Sequence, residues 1–153
     1  MKSDSIFSIV NQINRGVPNL VEKNMLNDIT KLNVDSGSRA MEGSDYVTAQ
    51  TYFNYVLTLL PENHWISSYD FSLRLFLLRS KAAFSCGDIE TAYTSLKEIL
   101  DKGGCLEDKL DAYSLYVSVS VSSIRVLPCH KKATHLQISF QWFIIDSNHA
   151  RKS

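Results

Sequence analysis

Apolar residues recur along most of this chain at the three-and-four spacing that turns one face of an α-helix toward a core. Ile6, Ile9, Val10 and Ile13 form the first stripe, with Asp4 or Ser5 as its cap and Gly16 as its end. After Pro18, a second predicted helix carries Met25, Ile29, Leu32 and Ser36 inward. The small Gly37 and Ala40 sit on or near that face and would let a neighbouring helix approach closely. A third helix follows Gly43-Ser44-Asp45 and aligns Tyr46, Ala49, Phe53, Val56 and Leu60. Pro61 stops it, because proline cannot extend the backbone hydrogen-bond ladder. A fourth, capped by Ser67 or Ser68 and running to about Ser85, is apolar nearly all round, which predicts cover on several sides. Cys86-Gly87-Asp88 is the next turn, and Ile89, Ala92, Leu96 and Ile99 make the stripe after it, ended by Lys102-Gly103-Gly104. A last helix from Glu107 to about Val117 aligns Leu106, Leu110, Tyr113 and Val117.

Two of these stretches are copies. Ser44-Asp45-Tyr46-Val47-Thr48-Ala49-Gln50-Thr51-Tyr52-Phe53 matches Gly87-Asp88-Ile89-Glu90-Thr91-Ala92-Tyr93-Thr94-Ser95-Leu96 at a constant offset of 43, and the match continues through Val56-Leu57 and Ile99-Leu100. A turn followed by an amphipathic helix, repeated at such a period, marks a helical-hairpin array. The predicted fold is therefore all-α: stacked antiparallel helical hairpins, 45–60 with 66–85 and 88–101 with 107–117, forming a tetratricopeptide-like solenoid over residues 5–117. Glycine at 87 can take positive φ, aspartate caps the following helix, and Ala49 and Ala92 lie where two helices cross. The period exceeds the usual ~34 residues of tetratricopeptide repeats, which implies longer helices.

The pattern changes near residue 118. Val117-Ser118-Val119-Ser120-Val121-Ser122 and Leu136-Gln137-Ile138-Ser139-Phe140-Gln141-Trp142 alternate with the period of a strand. A third turn is due near residue 131, where the chain reads His130-Lys131-Lys132-Ala133. Charge changes too: residues 1–122 hold 11 Lys/Arg against 15 Asp/Glu, and residues 123–153 hold 5 against 1. Residues 118–153 are thus expected to form an atypical, irregular tail, either a poorly ordered, non-native appendage or a cap on the last hairpin.

Composition adds little to this picture and excludes some classes. The whole chain has zero formal net charge, so nothing global argues for nucleic acid or an anionic membrane as partner. No window approaches the roughly 18 uninterrupted apolar residues of a membrane span. Cys86, Cys105 and Cys129 are scattered and odd in number, which points to free thiols in a reducing, cytoplasmic compartment rather than a disulfide framework.

The dispersed residues also carry a resemblance. Asn14-Arg15-Gly16, the run Leu32-Asn33-Val34-Asp35-Ser36-Gly37-Ser38-Arg39-Ala40, Ala49 through Leu60, Trp65, Tyr69 and Gly87-Asp88 resemble the helical arm that follows the nucleotide-binding module in large signalling ATPases. Those proteins join a serine/threonine kinase domain, an AAA-type ATPase module, this arm, and a GAF and sensor histidine kinase output. The resemblance covers roughly residues 6–117. It implies a fragment of a larger protein and a non-catalytic scaffold in signal transduction, in contact with neighbouring ATPase or kinase domains. A free-standing tetratricopeptide-type adaptor for a peptide or partner helix is the alternative, and a small enzyme of unrecognised type is a third reading.

No residue here matches a phosphate-binding loop, so the ATPase and kinase activities of that family carry onto no position. Cys129, His130, His135 and His149 fit no zinc spacing, and Lys131-Lys132 read as a solvated basic tail. Asp45, Asp88 and Glu90 read as caps and solvated positions, and Trp65 and Tyr69 as core anchors. The expected catalytic, cofactor and metal residues are accordingly none, and the expected partner is protein.

Overall fold

The computed structural model of the protein describes residues 3–16 and 23–126. The described residues form helices joined by short turns, in the order α1 (Ser3–Gly16), α2 (Lys23–Glu42), α3 (Tyr46–Leu59), α4 (His64–Ser67), α5 (Tyr69–Cys86), α6 (Ile89–Lys102) and α7 (Leu106–Val126). No strand occurs among them. Each long helix packs on the next, and α5 also touches α2 and α7, so the helices stack in chain order around two joined cores. One core centres on Val34, Phe53, Val56 and Leu75, and the other on Phe76, Leu96, Ile99 and Val119.

The two turns that repeat in sequence repeat in geometry. At the end of α2, Asp45 N–H donates to Ala40 C=O at 2.8 Å and Ser44 N–H to Met41 C=O at 2.9 Å. At the end of α5, Asp88 N–H donates to Ala83 C=O at 2.9 Å and Gly87 N–H to Phe84 C=O at 3.0 Å. This pair of bonds is the Schellman closure of a helix, which needs a left-handed residue just past the end. Gly87 fills that place at φ 79° and Ser44 at φ 60°. The next residue then caps the following helix, Asp45 Oδ1 accepting from Thr48 N–H and Asp88 Oδ1 from Thr91 N–H, both at 3.1 Å.

Burial repeats as well. Ala49, Tyr52, Phe53 and Val56 are the buried residues of α3, and Ala92, Ser95, Leu96 and Ile99, each 43 positions on, are those of α6. The correspondence reaches back across the turn: Ile29, Asn33, Gly37 and Ala40 are buried in α2, and Ser72, Phe76, Ser80 and Ala83 in α5. The repeated unit is therefore helix–turn–helix around the glycine- or serine-bearing turn. The pairs α2·α3 and α5·α6 pack more extensively than α3·α5 and α6·α7, the pairs expected as hairpins.

Several expectations need correction. Met25 is 52% exposed, and the inner face of α2 instead carries Thr30, Asn33 and Val34 beside Ile29 and Ser36. Ile9 lies outward on α1. The residues between Asn63 and Ser68 form the single turn α4, and Ser68 precedes α5 without making a side-chain cap bond. The strand-like run 117–122 is helix: α7 continues unbroken to Val126. Its serines bond back to carbonyls one turn earlier, Ser118 to Ser114, Ser122 to Ser118 and Ser123 to Val119. The expected inner stripe of α7 is also wrong. Leu106, Leu110 and Val117 are exposed, while Ala112, Val119, Ser120 and Ser123 are buried. The expectations for Cys129, His130, Lys131, Lys132, His135 and His149, and for the rest of 127–153, fall outside the described residues.

Candidate functional site

Side chains of α1 and α3 line an open cleft of about 320 Å³. Asn11, Asn14 and Arg15 come from α1, and Thr51, Tyr52 and Tyr55 from α3. Spacings of three and four residues place each set on one helix face. Below the cleft, Asn14 and Asn33 exchange a reciprocal amide pair, Asn14 Nδ2 donating to Asn33 Oδ1 at 2.8 Å and Asn33 Nδ2 to Asn14 Oδ1 at 2.9 Å. Asn33 gives its second N–H to Ile29 C=O at 2.8 Å, so its buried amide is well satisfied. The Tyr55 hydroxyl donates to Asn14 C=O at 3.0 Å, and the Tyr52 hydroxyl donates to Asn11 Oδ1 at 3.2 Å. Phe7 and Tyr52 stack beneath it with ring centroids 5.8 Å apart.

Burial raises the Tyr52 hydroxyl above its ordinary pKa, against the lowering effect of the Asn11 bond, and burial alone raises Tyr55. Both phenols therefore stay protonated and act as donors rather than bases at neutral pH. The lining offers amides, hydroxyls and one guanidinium, a set suited to the C=O and N–H groups of an extended peptide. No nucleophile–base pair lines it.

A second polar assembly ties the repeats together. Arg79 on α5 donates through Nε to Asn54 Oδ1 on α3 at 2.7 Å and through Nη1 to Ser95 Oγ on α6 at 2.5 Å. Gln50 Nε2 donates to Asp88 Oδ2 at 2.6 Å. Desolvation lowers the Arg79 pKa while the nearby Asp88 charge opposes it. Asp88 is in turn held below its ordinary range, first by the Thr91 cap bonds and then by Gln50 and Arg79. The Thr48 cap bonds lower Asp45 in the same way. These aspartates serve the turns, as their sequence position indicates.

Trp65 and Tyr69 brace the second repeat. Trp65 Nε1 donates to Glu98 Oε1 at 3.0 Å, and the Tyr69 hydroxyl donates to Asp108 Oδ2 at 2.7 Å while accepting from Gly104 N–H at 2.6 Å. His64 lies against Phe76, with Nδ1 2.9 Å from Ser72 Oγ. Ser72 is fully buried and His64 half-buried above it, and the Ser72 hydroxyl also donates to His64 C=O and Ser68 C=O within the turn. Burial lowers the His64 pKa, partly offset by Glu98, and favours the neutral ring. Among the described residues no group of His, Cys, Asp and Glu is placed to hold a metal, and no helix is long and apolar enough to cross a membrane.

The cleft itself was not legible as a site in the sequence. Its only trace there is the placement of Asn33 among inward-facing apolar positions, together with the tyrosine pair Tyr52 and Tyr55. Arg79 likewise hides inside an apolar run. Comparison with known proteins returns no match to a family model, to a curated protein or to a solved structure.

Proposed function

We propose that this chain is a non-catalytic helical-repeat scaffold that stages contacts between protein domains, as the interdomain arm of a signalling ATPase and sensor kinase does. The observation that carries the reading is the repeated unit itself. The turn, its aspartate cap and the buried positions of α2–α3 recur in α5–α6. An array of this kind stacks neighbour on neighbour and builds extended surfaces, whose natural use is to hold partners. The polar groups of highest investment, Arg79, Gln50, Asp88 and Trp65, bind helix to helix. The proposed setting is cytoplasmic signal transduction.

Sequencing of the flanking reading frame tests this first, followed by titration calorimetry of the adjacent module against this chain. A phosphate-binding loop encoded upstream in frame, and heat of binding from that module, are expected. A frame without such a module contradicts the arm reading, as does saturable binding of ATP by this chain alone.

The cleft between α1 and α3 favours a second reading, an adaptor for a peptide. Among the described residues nothing takes the second amide N–H of Asn14 after it pairs with Asn33, and Thr51 and Arg15 stand at the exposed rim. Fluorescence anisotropy with an extended-peptide library reads this directly. Peptides that bind the parent protein and lose affinity in Asn11→Ala and Thr51→Ala support it, and equal affinity for parent and variants sinks it.

A further inference from the structure

The hydrogen bonds around the cleft between α1 and α3 determine which bonding capacity it has left. Asn11 Oδ1 accepts from the Tyr52 hydroxyl, which leaves the N–H groups of the Asn11 amide. Asn14 Oδ1 accepts from Asn33, and Asn14 Nδ2 gives one N–H back to Asn33, which leaves the other. Arg15, exposed at the rim, can only donate. Among the described residues nothing takes these remaining donors. The three residues stand at i, i+3 and i+4, so the donors converge on one face of α1.

The opposite wall is different in kind. Thr51, Tyr52 and Tyr55 each direct their single hydroxyl proton elsewhere, to Val47 C=O, Asn11 Oδ1 and Asn14 C=O. Their oxygens are left as acceptors. The α1 wall therefore donates and the α3 wall accepts. Arg15 is the one charged residue in the lining among the described residues, and no carboxylate stands there to neutralise it. Arg15 also lies in the last turn of α1, where the helix dipole favours a cation. The dipole accounts for Arg15 alone and not for the amide donors that share its face.

We infer that this cleft receives an acidic side chain of a bound peptide. The carboxylate is held by Arg15 and by the amide N–H groups of Asn11 and Asn14, and peptide N–H groups beside it meet the hydroxyl oxygens of Thr51 and Tyr55. The inference rests on the peptide-adaptor reading and names what that peptide must carry. Two features select a side-chain carboxylate. Its single charge is matched by one guanidinium in a planar bidentate pair, whereas a phosphate group is met by a cluster of arginines. A chain-end carboxylate is captured by backbone N–H groups, and the backbone groups that a helix leaves open at its C-terminal end are carbonyls.

NMR titration of the full chain tests the inference with short capped peptides of serine and alanine whose central residue is glutamate, glutamine or phosphoserine. A fourth peptide carries its only carboxylate at a free C-terminus. The glutamate peptide should bind at least about tenfold more tightly than the glutamine peptide. It should shift the side-chain N–H signals of Asn11, Asn14 and Arg15. Arg15→Gln should abolish its advantage, and Arg15→Lys should restore part of it. Equal affinity for the glutamate and glutamine peptides overturns the inference while leaving the adaptor reading to its own peptide library. Binding by none of the four peptides overturns it too. Tighter binding of the phosphoserine or free C-terminal peptide would assign the cleft to a different anion, and a glutamate preference that survives Arg15→Gln would place the carboxylate elsewhere; either result contradicts the proposal.

Discussion

The unit α2–α3 and the unit α5–α6 reach the same backbone with different side chains. In the first, Gly37 lies under the ring of Phe53 so closely that a Cβ there would stand 2.5 Å from Phe53 Cε1. At the corresponding places the second unit has Ser80 and Leu96, both fully buried. One side of the crossing loses a Cβ where the other gains a ring, so the volume is conserved across the pair. The turn shows the same exchange of means. Gly87 takes the left-handed position without steric cost, while Ser44 takes it with a Cβ in place. Some places differ in kind: Ser36 is buried with no partner for its hydroxyl among the described residues, and its counterpart Arg79 is the hub of the polar clamp. The repeat conserves geometry and burial, and each copy finds its own packing.

That comparison can be broken most severely at the alanines that both copies share. Ala49 and Ala92 are fully buried at the helix crossings. Ala49→Trp and Ala92→Trp should each lower stability by about 1–3 kcal/mol or more, because a close-packed crossing has no room for the ring. Thermal melts that leave both unchanged would remove the alanines from the crossing.

The volume exchange is sharpened by converting the first copy into the second. Gly37→Ser alone should cost about 1–3 kcal/mol by clashing with Phe53. In a Phe53→Leu background the same substitution should cost less than half as much. Urea denaturation of the four proteins in this cycle gives the coupling, and additive effects would show that the two positions do not share a space.

The turns should respond in opposite directions. Ser44→Gly relieves a left-handed serine and should stabilise by about 1 kcal/mol, while Gly87→Ala imposes the same strain and should destabilise by about 1–2 kcal/mol. Equal signs in the two denaturation midpoints would separate the two turns.

The smallest expected effect concerns acid. Both cap aspartates are held below their ordinary pKa of 3.8, so their contribution is present above that value and is lost as pH falls through the lowered folded value. Asp88 has Gln50 and Arg79 in addition to its cap, so Asp88→Asn should flatten the acid limb of the stability profile more than Asp45→Asn. Asp45 is exposed and Asp88 partly so, and solvent screening keeps the difference small.

The sequence displays α3 and α6 almost completely, because their buried positions hold apolar or small residues at regular spacing and the turns before them share Asp and Thr. The equivalence of α2 and α5 is hidden by chemistry. Asn33 stands where Phe76 does, each satisfied by its own neighbours, Asn14 in one case and His64 and Trp65 in the other. Helix α7 misleads for a different reason. Valine alternating with serine carries the period of a strand, but packing on α6 and the back-bonding of serine hydroxyls within the helix prevail over that local pattern. Its two apolar faces also compete in the sequence, Leu106, Leu110, Val117 and Val121 on the exposed one and Ala112, Leu115, Tyr116 and Val119 on the one packed against α6. The cleft between α1 and α3 depends on asparagines and tyrosines that meet only through the fold, at separations such as that of Asn11 and Tyr52.

The central claim is that the turns at 44–45 and 87–88 are one structure used twice. Solution NMR tests it directly, through the three-bond H–N–Cα–H coupling of Ser44, the Cα–H couplings of Gly87 and the amide exchange of all four residues. Positive φ at both Ser44 and Gly87, with slow exchange at Asp45 and Asp88, is the predicted result. Negative φ at Ser44 together with rapid exchange at Asp45, while Gly87 and Asp88 keep their geometry, would contradict it.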